Sequence, residues 1–238
     1  VFRYILAWKE FEYLDAISIS VIGALLIVVS LFHHSSNFSL AIWSTAGAFL
    51  MATAASRGPY LSIIAVLSFA FITKKVNRKS ILISVASLVS GFLIHYAFYK
   101  VFNELFIFGY PLSERFLNNE IDQSSIKRIL LIKEGWLQLI KHPIAGSHFI
   151  VVSQGLYIHN LVLDVLLSTG IIGFLLLAPS FFIFFKKITL KNNLNLVHCL
   201  AFYFLMNAMT SGAIYNLNEF WFFFMYITFG NNMTNIDS

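Results

Sequence analysis

Residues 157–187 read YIHNLVLDVLLSTGIIGFLLLAPSFFIFFKK. A His-Asn pair opens the run and two lysines close it. Between them, residues 160–185 carry one charged side chain, Asp164. A helix needs about 20 apolar residues to cross a bilayer core. The stretch is therefore read as a membrane span entered at His159-Asn160 and left at Lys186-Lys187. The rest of the chain agrees. It is 58% hydrophobic and 11% charged over 238 residues, too little polar surface for a water-soluble domain of this size. In hydrocarbon every backbone amide needs an internal partner, and runs this long satisfy that need as helices. The expected fold class is all-α, a polytopic transmembrane helix bundle.

Working outward, further apolar runs lie at 13–32, 38–55, 59–73, 80–98, 194–211 and 213–230, which with 160–185 makes seven spans. Residues 1–238 are read as a single membrane domain. The chain opens at Val1, with no basic stretch, short apolar core and small-residue cleavage site ahead of the first span. It is read as the C-terminal part of a longer protein. The lone Cys199 allows no internal disulfide. The formal charge of +5 calls for no nucleic acid. Much of it sits in two turns, Lys74-Lys75-Val76-Asn77-Arg78-Lys79 and Lys186-Lys187 with Lys191. Short basic turns face the cytoplasm. Two spans separate them, so parity agrees, and the long segment 99–159 falls outside. The turn Ser56-Arg57-Gly58 and the turn at Ser211-Gly212 fall on that same outer face.

Within the external loop, residues 124–142 have helical periodicity. Ile126, Ile129, Leu130, Trp136, Leu137 and Ile140 share a face, with Lys127, Glu134, Gln138 and Lys141 opposite. Arg128 sits at the edge of the apolar arc. Pro143 stops the helix and Gly146 follows in a turn. Such a helix lies on the membrane surface with its Trp as anchor, or packs over the bundle.

Four features can carry chemistry. Arg57 stands in a short outer turn with no acid near it in sequence. Its planar fork suits phosphate, and the bland alternative is an arginine snorkelling to lipid headgroups. His159 can accept a proton near neutral pH, and Asn160 can orient a hydroxyl. Asp164, one helical turn beyond Asn160, can orient His159 or line a polar cavity; the bland alternative is a structural interfacial histidine. Glu219 falls inside the last span, where a carboxylate faces the bundle interior or water, or pairs with Arg57 or Arg128. His142, His148 and His159 are spaced six and eleven apart, which matches no usual metal-ligand pattern, so no metal is expected. No nucleophile elbow and no glycine-rich phosphate loop is present, and no cofactor is expected.

The order of these pieces resembles the O-antigen polymerase and O-antigen ligase family of bacterial inner-membrane glycan transferases. The matching pieces are Ser56-Arg57-Gly58 between two spans, Arg128, Trp136, His142-Pro143, Gly146, and His159-Asn160-Leu161 opening the next span. Arg128 to Pro143 is fifteen positions, as in the family's pattern. His148 stands where that pattern has a second glycine. The resemblance covers roughly residues 45–230.

It implies transfer of an undecaprenyl-pyrophosphate-linked oligosaccharide to an acceptor glycan at the periplasmic face. Membrane lipid surrounds the site, and other polysaccharide assembly proteins are further expected partners. Arg57 and Arg128 would neutralise the leaving pyrophosphate. His159 would take the acceptor's proton, with Asn160 and Asp164 in support. On this expectation two guanidinium groups and an imidazole meet in one extracytoplasmic pocket. Polymerase and ligase differ only in acceptor. The rival of another class is a transporter or channel, which predicts inverted repeats or broken helices; the spans read as mostly unbroken, and Gly170, Gly173 and Pro179 within 160–185 lend that rival only weak support.

Overall fold

The computed structural model describes residues 16–53, 57–73, 76–101, 123–190, 195–210 and 217–230. Among these residues there are eight helices and no strand. They are α1 (Ala16–His33), α2 (Asn37–Thr53), α3 (Arg57–Thr73), α4 (Arg78–Val101), α5 (Gln123–Lys141), α6 (Leu161–Leu190), α7 (Leu196–Ala208) and α8 (Asn218–Phe229). Each apolar run becomes a helix within a few residues of its expected bounds, as does the amphipathic segment. Short polar residues set several starts. Ser36, Asn77, Asn160 and Asn195 each accept a backbone N–H of the helix that follows, through Ser39, Lys79, Leu163 and His198. These bonds satisfy amides that a helix leaves open at its first turn. Ser56, Lys74, Lys75, Lys191, Ser211, Gly212 and the side chain of Arg57 lie outside the described residues.

The chain divides into two compact units, Val1–Glu120 and Ile121–Ser238. In the first, α1 and α2 run antiparallel and α2 and α4 run parallel. Small residues bring their backbones close. A β-carbon on Gly23 would lie 2.5 Å from Gly47 O, and one on Gly91 would lie 2.5 Å from Ala48 Cβ. Hydroxyls bridge the same seams, with Ser30 Oγ to Ser44 Oγ at 3.0 Å and Thr45 Oγ1 to Ser90 Oγ at 3.3 Å. Small residues and interhelical hydroxyl bonds are what hold helices together where no water drives them to associate.

In the second unit, α5 packs on α6 around a core of Leu131, Leu139, Val151, Ile158 and Leu167. Gly135 lies in the same contact, and a β-carbon there would run into Ile158 and Leu167. Leu131, Gly135 and Leu139, spaced by four, form the inward stripe of α5. The stripe singled out from the sequence faces outward. Ile129, Trp136 and Ile140 are 67%, 52% and 60% exposed. An aromatic cluster joins α6 to α8 through Phe181, Phe184, Phe220 and Phe224.

Two helices, α4 and α6, are long and apolar enough to cross a membrane. Ser18–His33, Gly58–Thr73 and Leu196–Ala208 are apolar and shorter. Only 28% of the most apolar stretch of α4 and of α6 is buried. Leu82 on α4 and Leu176 and Phe182 on α6 are largely exposed.

One expectation needs correction. The span at 160–185 is not an unbroken helix. Gly170 has φ 64° and ψ −165°, which interrupts α6 after its first nine residues.

Candidate functional site

The break in α6 explains the Pro143–Gly146 turn. A helix interrupted at Gly170 leaves the next amides without their usual acceptors. Ile171 N donates to Pro143 O at 2.9 Å and Ile172 N to Ile144 O at 3.2 Å. The carbonyl freed on the other side, Leu167 O, accepts Ser147 N at 2.7 Å. The turn therefore plugs its backbone into the helix. The approach is so close that neither partner tolerates a β-carbon. One on Gly146 would lie 2.6 Å from Gly170 N, and one on Gly170 would strike Ile144 O. Gly146 also has φ 72°, in the left-handed region that favours glycine.

The first nine residues of α6 are thus fixed against the end of α5, and this segment begins with the His-Asn pair. Asn160 is its N-cap. Its Oδ1 accepts Leu163 N at 3.2 Å and its carbonyl accepts Asp164 N at 2.8 Å. Its Nδ2 reaches across to α7 and donates to Met209 O at 3.3 Å. Arg128 approaches the same helix end from α5, with Nη1 donating to Thr210 O at 3.0 Å. Two side chains 32 positions apart thus hold consecutive carbonyls. A guanidinium at a helix C-terminus also complements the partial negative charge there. Arg128 can do this because it shares the inward face of Leu131, Gly135 and Leu139, not the outward stripe whose edge the sequence suggested.

His159 stands between these anchors. It has φ 63°, the only positive φ outside glycine among the described residues. Its ring lies 4.2 Å from that of Tyr157, centroid to centroid. Asp164 is fully buried, and Oδ1 accepts Ile158 N at 3.4 Å. The carboxylate thus braces the backbone immediately before the histidine. Ile158 itself is buried in the α5–α6 core. His159 is held from both neighbours in the chain, by Ile158 before it and Asn160 after it.

The other two candidates are carried by other helices. Glu219 is exposed in the first turn of α8, where an acid suits the helix N-terminus. The sequence had put it further inside a span; α8 begins only at Asn218. Arg57 opens α3 in the first unit. Arg128, His159, Asn160 and Asp164 are thus brought together by α5, α6 and α7. Thr210 and Met209, which sequence reasoning did not single out, contribute through main-chain carbonyls that no side-chain pattern marks. Among the described residues no three His, Cys, Asp or Glu side chains group closely enough to hold a metal ion. Comparison with protein-family models, with curated proteins and with solved structures finds no match to this chain.

Proposed function

We propose that the chain is a glycan transferase of the O-antigen polymerase type. It sits in a bacterial inner membrane as a bundle of seven spans, with its site towards the periplasm. It moves an oligosaccharide from undecaprenyl pyrophosphate to an acceptor sugar hydroxyl, with no metal or nucleotide. The membrane setting is supported by long apolar helices that leave most of their surface uncovered, a pattern that water does not tolerate over so large an area.

The observation that carries the reading is the convergence of Arg128 and Asn160 on Thr210 O and Met209 O, with His159 directly before Asn160. In this mechanism the acceptor oxygen attacks the anomeric carbon as the bond to pyrophosphate breaks. His159 takes the hydroxyl proton, which sharpens the nucleophile as the new bond forms. Arg128 stabilises the charge that develops on the departing pyrophosphate. Arg57 is assigned the same task. Asn160 and Asp164 fix the position of the imidazole, and Glu219 accepts hydrogen bonds from sugar hydroxyls.

The test is transfer by the purified full chain from lipid-linked repeat units. Arg57→Ala, Arg128→Ala and His159→Ala are each expected to lose about 100-fold or more in rate while keeping wild-type circular dichroism. Undiminished transfer in all three variants ends the proposal. A polymerase lengthens the lipid-linked chain with no other acceptor present, whereas an O-antigen ligase requires lipid A core. The break at Gly170 is the one feature that favours a transporter or channel, whose helices are often interrupted at the substrate path. Here the freed groups are occupied by Pro143, Ile144 and Ser147, which argues against an open path. Solute flux in proteoliposomes without glycan transfer would favour that rival.

A further inference from the structure

Glu134, Gln138 and Lys141 lie along one flank of α5, spaced so that a helix sets them in line. The segment after the helix folds back along this flank and encloses an open groove of about 670 Å³. Its frame is tightly specified. Gln138 donates to Ser147 Oγ at 2.9 Å and to Ile150 O at 3.1 Å, and accepts Val152 N at 3.0 Å. Glu134 accepts from Ser153 Oγ and, at 3.1 Å, from Gln154 Nε2. A bridge between Val151 and Leu156 closes the loop that carries these partners.

The groups left at the mouth are different in kind. Lys141, His142 and His148 line the groove and are exposed, and among the described residues their side chains make no hydrogen bond or ion pair. Each is an N–H donor. Glu134 lies seven residues back along the helix, about 10 Å from Lys141, with its oxygens on Ser153 and Gln154, so no described carboxylate pairs with the lysine at the mouth. Leu137 and Val152 also line it, 52% and 59% exposed. A ligand fitting this end of the groove therefore has negative charge and many hydrogen-bond acceptors, with apolar C–H faces for Leu137 and Val152. Sugars bearing carboxylates combine all three.

We infer that this groove binds a short stretch of acidic glycan, alongside the transfer site of the same unit. The inference deepens the glycan-transfer reading and rests on it for the choice of ligand. Helix α5 sets the geometry, since thirteen residues separate Arg128 from Lys141, about 20 Å along the axis. The groove holds the chain, and the end that reacts lies one rigid helix away.

The test measures binding, with transfer assayed in parallel. The full chain in zwitterionic nanodiscs is titrated with tetragalacturonate, with the neutral tetramer of galactose, and with inorganic pyrophosphate. Tetragalacturonate is expected to bind, and the neutral sugar to bind at least about tenfold more weakly, the worth of a charge-assisted contact. The exposed double variant Lys141→Ala/His148→Ala is expected to lose about tenfold or more in affinity for tetragalacturonate while leaving pyrophosphate binding unchanged. No binding of tetragalacturonate, equal binding of the neutral tetramer, or an unaltered double variant each overturns the proposal. If the acidic tetramer binds as expected but the wild-type chain transfers no glycan, the groove stands and the transferase reading falls. If transfer proceeds without that binding, the groove falls alone.

Discussion

His159 occupies backbone space that L-residues other than Asn and Asp seldom enter, at about 1 kcal/mol or more. Its two chain neighbours enforce that conformation, Ile158 through the core and Asp164, Asn160 through the cap. The strain separates a chemical role from a structural one. His159→Gly relieves the backbone and removes the imidazole. Thermal unfolding is expected to show the glycine variant about 1 kcal/mol more stable than His159→Ala, with both equally deficient in transfer. A glycine variant that transfers glycan normally would leave the imidazole without a chemical task. Asp164→Ala strands the buried amide of Ile158. It is expected to lower stability by about 1–3 kcal/mol, against a smaller loss for Asp164→Asn, read from denaturation midpoints. The pair His159-Asn160 was legible because a polar pair before a long apolar run marks a helix entry. Its left-handed backbone was not, since Asn is the residue that sequence rules place there. The partners of Arg128 and Asn160 were illegible for a simpler reason. They are main-chain carbonyls, present at every residue.

At the scale of elements, α6 and the turn at 143–147 form one unit. Gly146→Ala and Gly170→Ala each meet backbone atoms, and each replaces a glycine at positive φ. Each is expected to destabilise by more than about 1 kcal/mol. The double variant should lose less than the sum, because either change alone already unseats the turn. Additive losses in a double-mutant cycle would show that the two glycines do not share a seam. Helix bounds were legible from apolar runs and from Pro143; the polar caps that set several starts were not singled out. The break was not, because one glycine in a long apolar helix costs only about 1 kcal/mol and is common. Its cause lies 26 to 27 positions earlier, in the carbonyls of Pro143 and Ile144, which accept from Ile171 and Ile172. The inward stripe of α5 was also missed. Leu131, Gly135 and Leu139 look less apolar than the outward stripe, and the glycine that allows the contact adds nothing to hydrophobicity.

For the whole molecule, the helical class followed from composition and run length, and the eight helices among the described residues match it. The number of spans did not follow so directly, since several apolar helices are shorter than a bilayer core. The sidedness of α6 is open to a direct check. In a Cys199→Ala background, Phe149→Cys is expected to react with an impermeant maleimide on intact spheroplasts, and Lys186→Cys only after permeabilisation. Labelling of both from one side would mean that α6 does not cross. The seam at Gly170 also bears on how the protein is made. Ile171 and Ile172 take their acceptors from Pro143 and Ile144. Delivered to the bilayer ahead of that turn, the helix would carry two bare amides into hydrocarbon. On the proposed membrane reading, residues 143–172 are therefore expected to enter as one packet. A long insertion between 148 and 156 should therefore slow the appearance of inserted protein in a pulse-chase, yet leave the finished molecule as durable as before.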